Sequence, residues 1–311
     1  MTGTPILNNM MDIYQQFRIL DGGKSFGQNF FAFRKKFFED RNTGMPKQRY
    51  FPDWQPKAGA FAKISELISM KSNHVKKEDC LDLPPLVKKR LSVDMFGDQL
   101  KAYKEMRDTF VAFLKSDHGE TKRTAVAQMA MTKALRLQQI VSGFVMDDEG
   151  KAHRFKDNNR IHILKDTLEQ LATGHKVIVW ACFRENYKQI RDVCRVLKLD
   201  YAELHGDIKD KQTQLEKFTG NDKCRVMIAN QAAGGIGVNM VEASYSIYYS
   251  RSFNLGDDLQ SEARNYRGGS EIHDRVTRID LVTAGTIDDR VLEALAAKKS
   301  IGDMILQMGD L

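Results

Sequence analysis

After Lys176 the chain runs Val177-Ile178-Val179-Trp180-Ala181-Cys182-Phe183 without a charge, and this stretch constrains the fold more than any other. A strand with one wet face alternates polar and apolar residues, whereas a strand covered on both faces reads as an unbroken apolar run. The chain beyond this run keeps a fixed rhythm. Ile190, Val193, Cys194 and Leu197 fall at i, i+3, i+4 and i+7, which predicts a helix over 184–198. A short strand is expected at Tyr201–Leu204, a helix at 207–218 and a strand at Cys224–Ala229. Ser244–Tyr249 and Val276–Val282 read as two more strands with a helix between them. Helices alternating with buried strands fold as an α/β, doubly wound parallel sheet. A last helix starts at Thr286, an N-cap with Asp289 three residues on, and buries Ile287, Val291, Leu292 and Leu295.

The first half has another character. Met10, Ile13, Tyr14 and Phe17 mark an amphipathic helix, and a second helix is expected where Phe26, Phe30, Phe31, Phe33, Phe37 and Phe38 crowd together. Aromatics mixed with Lys and Arg suit base stacking, but this density reads as core. Residues 41–60 read as a loop, with a helix over 59–70. Pro84 and Pro85 force an extended backbone before a strand near 86–94. Long helices are expected at 96–115 and 122–142, the second with Met129, Met131, Leu135, Leu137, Ile140 and Val141 as an apolar surface. Domains are expected at 1–70, 71–155 and 156–311: a mainly helical segment, a brace, and the parallel-sheet domain.

The chain has no run of 18 apolar residues, so no membrane-spanning helix is expected, and Cys80, Cys182, Cys194 and Cys224 form no C-x-x-C pair. No zinc or other metal site is indicated. With 48 Lys+Arg against 41 Asp+Glu, the net charge of +7 permits a polyanionic partner without requiring one. Basic clusters at Arg34-Lys35-Lys36, Lys76-Lys77 and Lys88-Lys89-Arg90 are surface or nucleic-acid candidates.

Two stretches carry candidate chemistry. In Asp257-Asp258-Leu259-Gln260-Ser261-Glu262-Ala263-Arg264-Asn265-Tyr266-Arg267-Gly268-Gly269, acidic residues open a helix and glycines close it. Gln260, Arg264 and Arg267 then lie at i, i+4 and i+7 on one face, a set suited to a planar, multi-oxygen anion. The loop Asn230-Gln231-Ala232-Ala233-Gly234-Gly235-Ile236-Gly237-Val238-Asn239-Met240 comes directly after a buried strand, where open α/β sheets bind ligands. Its glycines let backbone approach a phosphate or sugar closely. Two lookalikes fail. Gly22-Gly23-Lys24-Ser25 lacks the earlier glycine of a phosphate-cradling loop, since position 18 is Arg18. Asp148-Glu149-Gly150-Lys151 imitates an acidic magnesium-binding strand end but reads as a hairpin turn.

In this order the motifs resemble those of the later half of a Swi/Snf-type superfamily-two helicase ATPase. Thr2-Gly3-Thr4-Pro5-Ile6-Leu7-Asn8-Asn9 is similar to the family's third motif, and Leu83-Pro84-Pro85 to the stretch before its interlobe brace. Val177–Phe183 resembles the fourth motif, with His205-Gly206 similar to the histidine-glycine step after it. Gly234-Gly235-Ile236-Gly237-Val238-Asn239 resembles the fifth, Gln260 to Arg267 the sixth, and Thr286-Ile287-Asp288-Asp289 a family helix start. Gly268-Gly269-Ser270 departs from the family's glycine-glutamine ending.

The resemblance implies a RecA-like second helicase lobe, with the N-terminal helical segment left from a first lobe. Arg264 and Arg267 would be arginine fingers for ATP, oriented by Gln260. Gly234, Gly235, Gly237 and Asn239 would couple nucleotide to DNA, with Thr2, Gly3, Thr4, His205 and Gly206 relaying its state to the DNA-contacting surface. ATP and Mg²⁺ would sit on a missing first lobe, so this chain alone is expected to be inactive. The partners implied are that lobe and the phosphates of DNA. The alternative is a non-catalytic DNA- or protein-binding module. Nothing resembles a nuclear-import signal or a chromatin-reading domain, and a prokaryotic or viral, cytoplasmic protein is the expectation.

Overall fold

The structure is a computed structural model that describes residue 6 and residues 10–44, 52–73, 80–115, 123–147, 149–235 and 237–307. These divide between two compact units, one within Met1–Lys76, Ser116–Met129 and Glu293–Leu311, the other within Lys77–Lys115 and Ala130–Leu292.

In the first unit, α1 (Asp12–Asp21) ends at Gly22, whose φ of 66° is the left-handed conformation that glycine adopts without penalty. Asn29 caps α2 (Phe30–Phe37) by accepting from the amides of Phe31 and Ala32. Next come β1 (Phe38–Asp40), β2 (Trp54–Pro56) and α3 (Ala60–Ser69). Met10, Ile13, Tyr14 and Phe17 are buried with Phe26, Phe33, Phe37 and Phe38, as the spacing predicts. Phe31 departs from that reading at 68% exposed. β1, just before the expected loop region, and β2, inside it, form an antiparallel pair, too short at three residues each to leave a pattern.

The second unit begins with β3 (Leu86–Ser92) and α4 (Gly97–Lys115), and takes in α5 (Arg123–Val141) from Ala130 onward. The hairpin β4 (Phe144–Met146) and β5 (Ala152–Arg154) stands on either side of the acidic turn, as expected. Then α6 (Asn159–Leu171), β6 (Lys176–Trp180), α7 (Arg184–Val196), β7 (Asp200–Leu204), α8 (Lys211–Gly220) and β8 (Cys224–Ala229) alternate. Beyond them lie β9 (Ala243–Tyr248), α9 (Leu255–Asn265), β10 (Val276–Val282) and α10 (Ile287–Gln307). Six strands form one parallel sheet in the order β3-β10-β9-β6-β8-β7. Every residue of β6 is buried.

Two expectations change. β3 belongs to the sheet, paired in register with β10 from Leu86↔Val276 to Ser92↔Val282, although it lies in the stretch assigned to a brace. On α5, Leu137, Ile140 and Val141 are buried but Met131 and Leu135 are 74% and 44% exposed. Leu135 precedes Leu137 by two residues, about 200° around a helix, so the two cannot share a face.

The chain leaves β6 toward β7 and β8 on one side, then returns to β9 on the other. The return from β8 to β9 contains a 3-10 turn at Gln231–Gly235 and then an extended segment. This crossover carries one of the two candidate stretches.

Candidate functional site

Asn254 starts α9, its side chain accepting from the Gly256 amide at 2.9 Å, with Asp257 and Asp258 in the first turn. The helix stops at Asn265, two residues before Arg267, which corrects the expected three-residue face. A continuing helix would give the Arg264 carbonyl to the amide of residue 268. Here it accepts from the Met240 amide at 3.0 Å, and Asn265 Nδ2 donates to the Ala243 carbonyl at 3.1 Å. Gln260 and Arg264 keep the shared face at i, i+4, and Arg267 lies in the bend after the helix. Gly269 then turns the chain with φ +103° beside Val241.

Gln260 is exposed, while Arg264 and Arg267 are half-buried. Arg264 Nη1 donates to the Val238 carbonyl at 3.4 Å. Loss of water and then the neighbouring Arg267 charge push the Arg264 guanidinium below its ordinary pKa. Arginine remains protonated regardless, so the shift reports a positive charge in a setting that favours an added anion.

The crossover loop is built to present alternate residues. Val238 and Met240 are buried in the sheet core, while Gly237 and Asn239 between and before them are exposed. Gly234 and Gly235 lie in the 3-10 turn. Asn230 folds that turn by accepting from the Ala232 amide at 2.7 Å, and its Nδ2 donates to the Tyr187 hydroxyl. The structure thus brings Arg264 to the loop that carries Gly237 and Asn239, with Gln260 one turn earlier on the same helix and Arg267 in the bend after it.

His205 stands elsewhere, at the carboxyl end of β7, and is 1% exposed. Its ring stacks on Tyr187 with centroids 4.2 Å apart and planes 11° apart. Nδ1 accepts from the Asp207 amide, which leaves the proton on Nε2 facing Glu203 Oε1 at 3.2 Å. Burial pulls the Glu203 carboxyl up, but His205 and Arg191 outweigh it and hold that group below its usual range. Only Gly206 of the pair reaches the surface. His205 joins the crossover through Tyr187 and Asn230, so it positions the loop from inside. Thr2, Gly3 and Thr4 fall outside the described residues. Among the described residues, no group of three His, Cys, Asp or Glu side chains could hold a metal ion.

A buried ionic cluster under α9 was missed in the sequence. Arg278 donates to both oxygens of Asp258 at 2.9 and 3.1 Å, to Glu262 at 2.6 Å and to Asp280 at 3.2 Å. Arg251 pairs with Asp280, and Lys88 with Glu262 at 2.7 Å. The Arg251 and Arg278 guanidiniums lie 4.4 and 4.1 Å from the ring centroid of Tyr248, whose hydroxyl meets Ser261 Oγ at 2.9 Å. Charged Arg278 and Asp280 at i, i+2 within a strand otherwise read as buried were the available signal. A second buried arginine, Arg160, donates to the Tyr249 and Leu281 carbonyls and to Asp288 at the start of α10.

Residues 159–269 match the helicase conserved C-terminal domain family. The chain is 25% identical over 313 residues to the CHD3-type chromatin-remodeling factor PICKLE of Arabidopsis thaliana, covering 97% of this chain and 21% of that protein. It is 24% identical over 330 residues to nuclear protein STH1/NPS1 of Saccharomyces cerevisiae, covering 99% of this chain and 24% of that protein. Residues 159–269 thus resemble a helicase C-terminal domain, and over nearly its whole length the chain is similar to Swi/Snf-type proteins.

The chain also shares its fold with the Sulfolobus solfataricus SWI2/SNF2 ATPase core solved in complex with dsDNA. The TM-score is 0.56 at 22% identity, over 96% of this chain and 60% of that one. The six-stranded unit therefore has the RecA-like fold seen in SWI2/SNF2 C-terminal lobe structures. The chain spans only 21% and 24% of the length of the two curated relatives named. Those relatives overturn the expectation of a prokaryotic or viral, cytoplasmic protein, because both are eukaryotic and one is named as nuclear.

Proposed function

We propose that this lobe donates Arg264 and Arg267 to the γ-phosphate of ATP held by a nucleotide-cradling RecA-like lobe, and that closure of the two couples hydrolysis to DNA. The observation that carries this reading is the pairing of two half-buried guanidiniums whose mutual field an arriving polyphosphate relieves. Mg²⁺ accompanies ATP as part of the substrate on the other lobe. Gln260 orients Arg264 or contacts the nucleotide. Gly234, Gly235, Gly237 and Asn239 link the nucleotide to the DNA backbone, and the Met240–Arg264 backbone bond makes that link direct. His205 and Gly206 carry the same motion to the edge of the sheet, while Thr2, Gly3 and Thr4 do so from the other lobe. DNA is held through phosphates, so binding is sequence-tolerant and weakens as salt rises.

The test is ATP turnover with and without duplex DNA, on this chain alone and on this chain supplied with the nucleotide-cradling lobe. Turnover is expected only in the second case, with Arg267→Ala lowering it by about 10³–10⁵-fold. Turnover indifferent to Arg267→Ala and Arg264→Ala would sink the finger assignment. DNA binding without turnover in either case would leave a non-catalytic binding module.

A further inference from the structure

Away from the arginine site, α6 and α7 flank a groove with a cavity of about 270 Å³. Its lining is mostly apolar, with Phe155, Ile161 and Val193 below and Val196, 67% exposed, at the rim. That volume falls just under the ~300–1,000 Å³ of pockets for drug-sized ligands, so it suits one large side chain.

The charges around it are one-sided. Arg154 is neutralised by Glu185 at 2.5 Å and Asp192 at 2.7 Å. Lys156, His162 and Lys165 also line the groove and make no ion pair or hydrogen bond among the described residues. The start of α6 adds to this. Asn158 occupies the N-cap position with extended backbone, yet its side chain makes no cap bond. It turns inward instead, Nδ2 donating to the Tyr249 hydroxyl at 3.4 Å, and leaves the start of α6, with its partial positive charge, without a side-chain cap. Asn158 is 3% exposed and lines the groove, and its Oδ1 has no hydrogen-bond partner.

We propose that this groove docks an acidic peptide of a partner protein, anchored by one tryptophan or tyrosine. The aromatic ring fills the cavity against Ile161 and Val193, and its N–H or O–H supplies the donor that Asn158 Oδ1 lacks. Flanking Asp or Glu residues meet Lys156, Lys165, His162 and the start of α6. Nucleic acid is the weaker fit, because a phosphate track needs cations in a row and has no use for an apolar recess.

The test is fluorescence anisotropy of the intact chain with a labelled set of 12-residue Asp/Glu-rich peptides, each with a single tryptophan at a different position. At least one is expected to bind, about tenfold more tightly than its Trp→Ala counterpart or its Asn/Gln-substituted counterpart. Lys156→Glu combined with Lys165→Glu is expected to weaken it by a similar factor while circular dichroism and melting stay unchanged, since both side chains sit at the rim. Binding by no peptide in the set overturns the proposal, as does binding indifferent to the double charge reversal. If short duplex or single-stranded DNA displaces the peptide and shows the same sensitivity to the reversal, the groove is a nucleic-acid surface instead.

Discussion

The two halves of α9 use arginine in opposite ways. Beneath the first half, Arg278 and Arg251 are buried and matched by Asp258, Glu262 and Asp280, with Lys88 completing the set. At the end of the second half Arg264 stands half-buried, its guanidinium held below the ordinary pKa by burial and then by the charge of Arg267 in the bend that follows. In the first case the fold matches the charge inside the protein; in the second, burial and a like charge act on the guanidinium together. The difference separates arginines matched by carboxylates inside the fold from arginines near the protein surface at the end of the helix.

Substitutions should respect that division. Arg278→Ala leaves Asp258, Glu262 and Asp280 with only Arg251 and Lys88 to match three carboxylates in a water-poor site, and urea denaturation is expected to show a loss of about 3–5 kcal/mol. A loss under 1 kcal/mol would mean water reaches the cluster and the two halves are not distinct. Gly269→Ala tests the boundary. The added Cβ would find Val241 no closer than 3.5 Å, so the cost is that of φ +103°, about 1–3 kcal/mol by the same measurement.

Acid probes the cluster more gently. Burial raises the Glu262 carboxyl, but Arg278 and Lys88 outweigh it and hold its pKa below the usual value. A depressed folded pKa means stability present above the unfolded value of about 4.3 and lost as pH falls through the folded one. Denaturation midpoints should therefore drop below about pH 4.3, with a shallower drop in Arg278→Ala; parallel profiles would remove Glu262 from the account. The smallest effect belongs to Arg264→Ala, expected to change folding stability by less than about 1 kcal/mol. If it costs as much as Arg278→Ala, Arg264 is a structural arginine and the comparison collapses.

The sheet was legible because burial on both faces leaves its mark locally. Val177–Trp180 and Cys224–Ala229 carry that mark in their own composition. β3 does not, since Leu86–Ser92 is an edge strand whose Lys88, Lys89 and Arg90 look like any solvated run. Only pairing with β10, distant in the chain, gives it a place. The buried arginines were illegible for the same reason: Arg160 meets Asp288 across |i−j| = 128, a distance no local pattern encodes. Gln260 and Arg264 lie on a helix, at i and i+4, as their spacing predicts. Arg267 does not, because the helix end depends on the Met240 amide capturing a carbonyl, and that amide belongs to another stretch of chain.

That capture also limits how the sequence can drift. Most surface loops tolerate inserted or deleted residues at little cost. Between Gly237 and Val241 the count is fixed at one end by Val238 and Met240 seated in the core and at the other by the bond to Arg264. One residue gained or lost there would exchange the outward and inward sets and free the end of α9 to extend through Arg267. Length, more than the identity of any side chain, is what this loop has to keep.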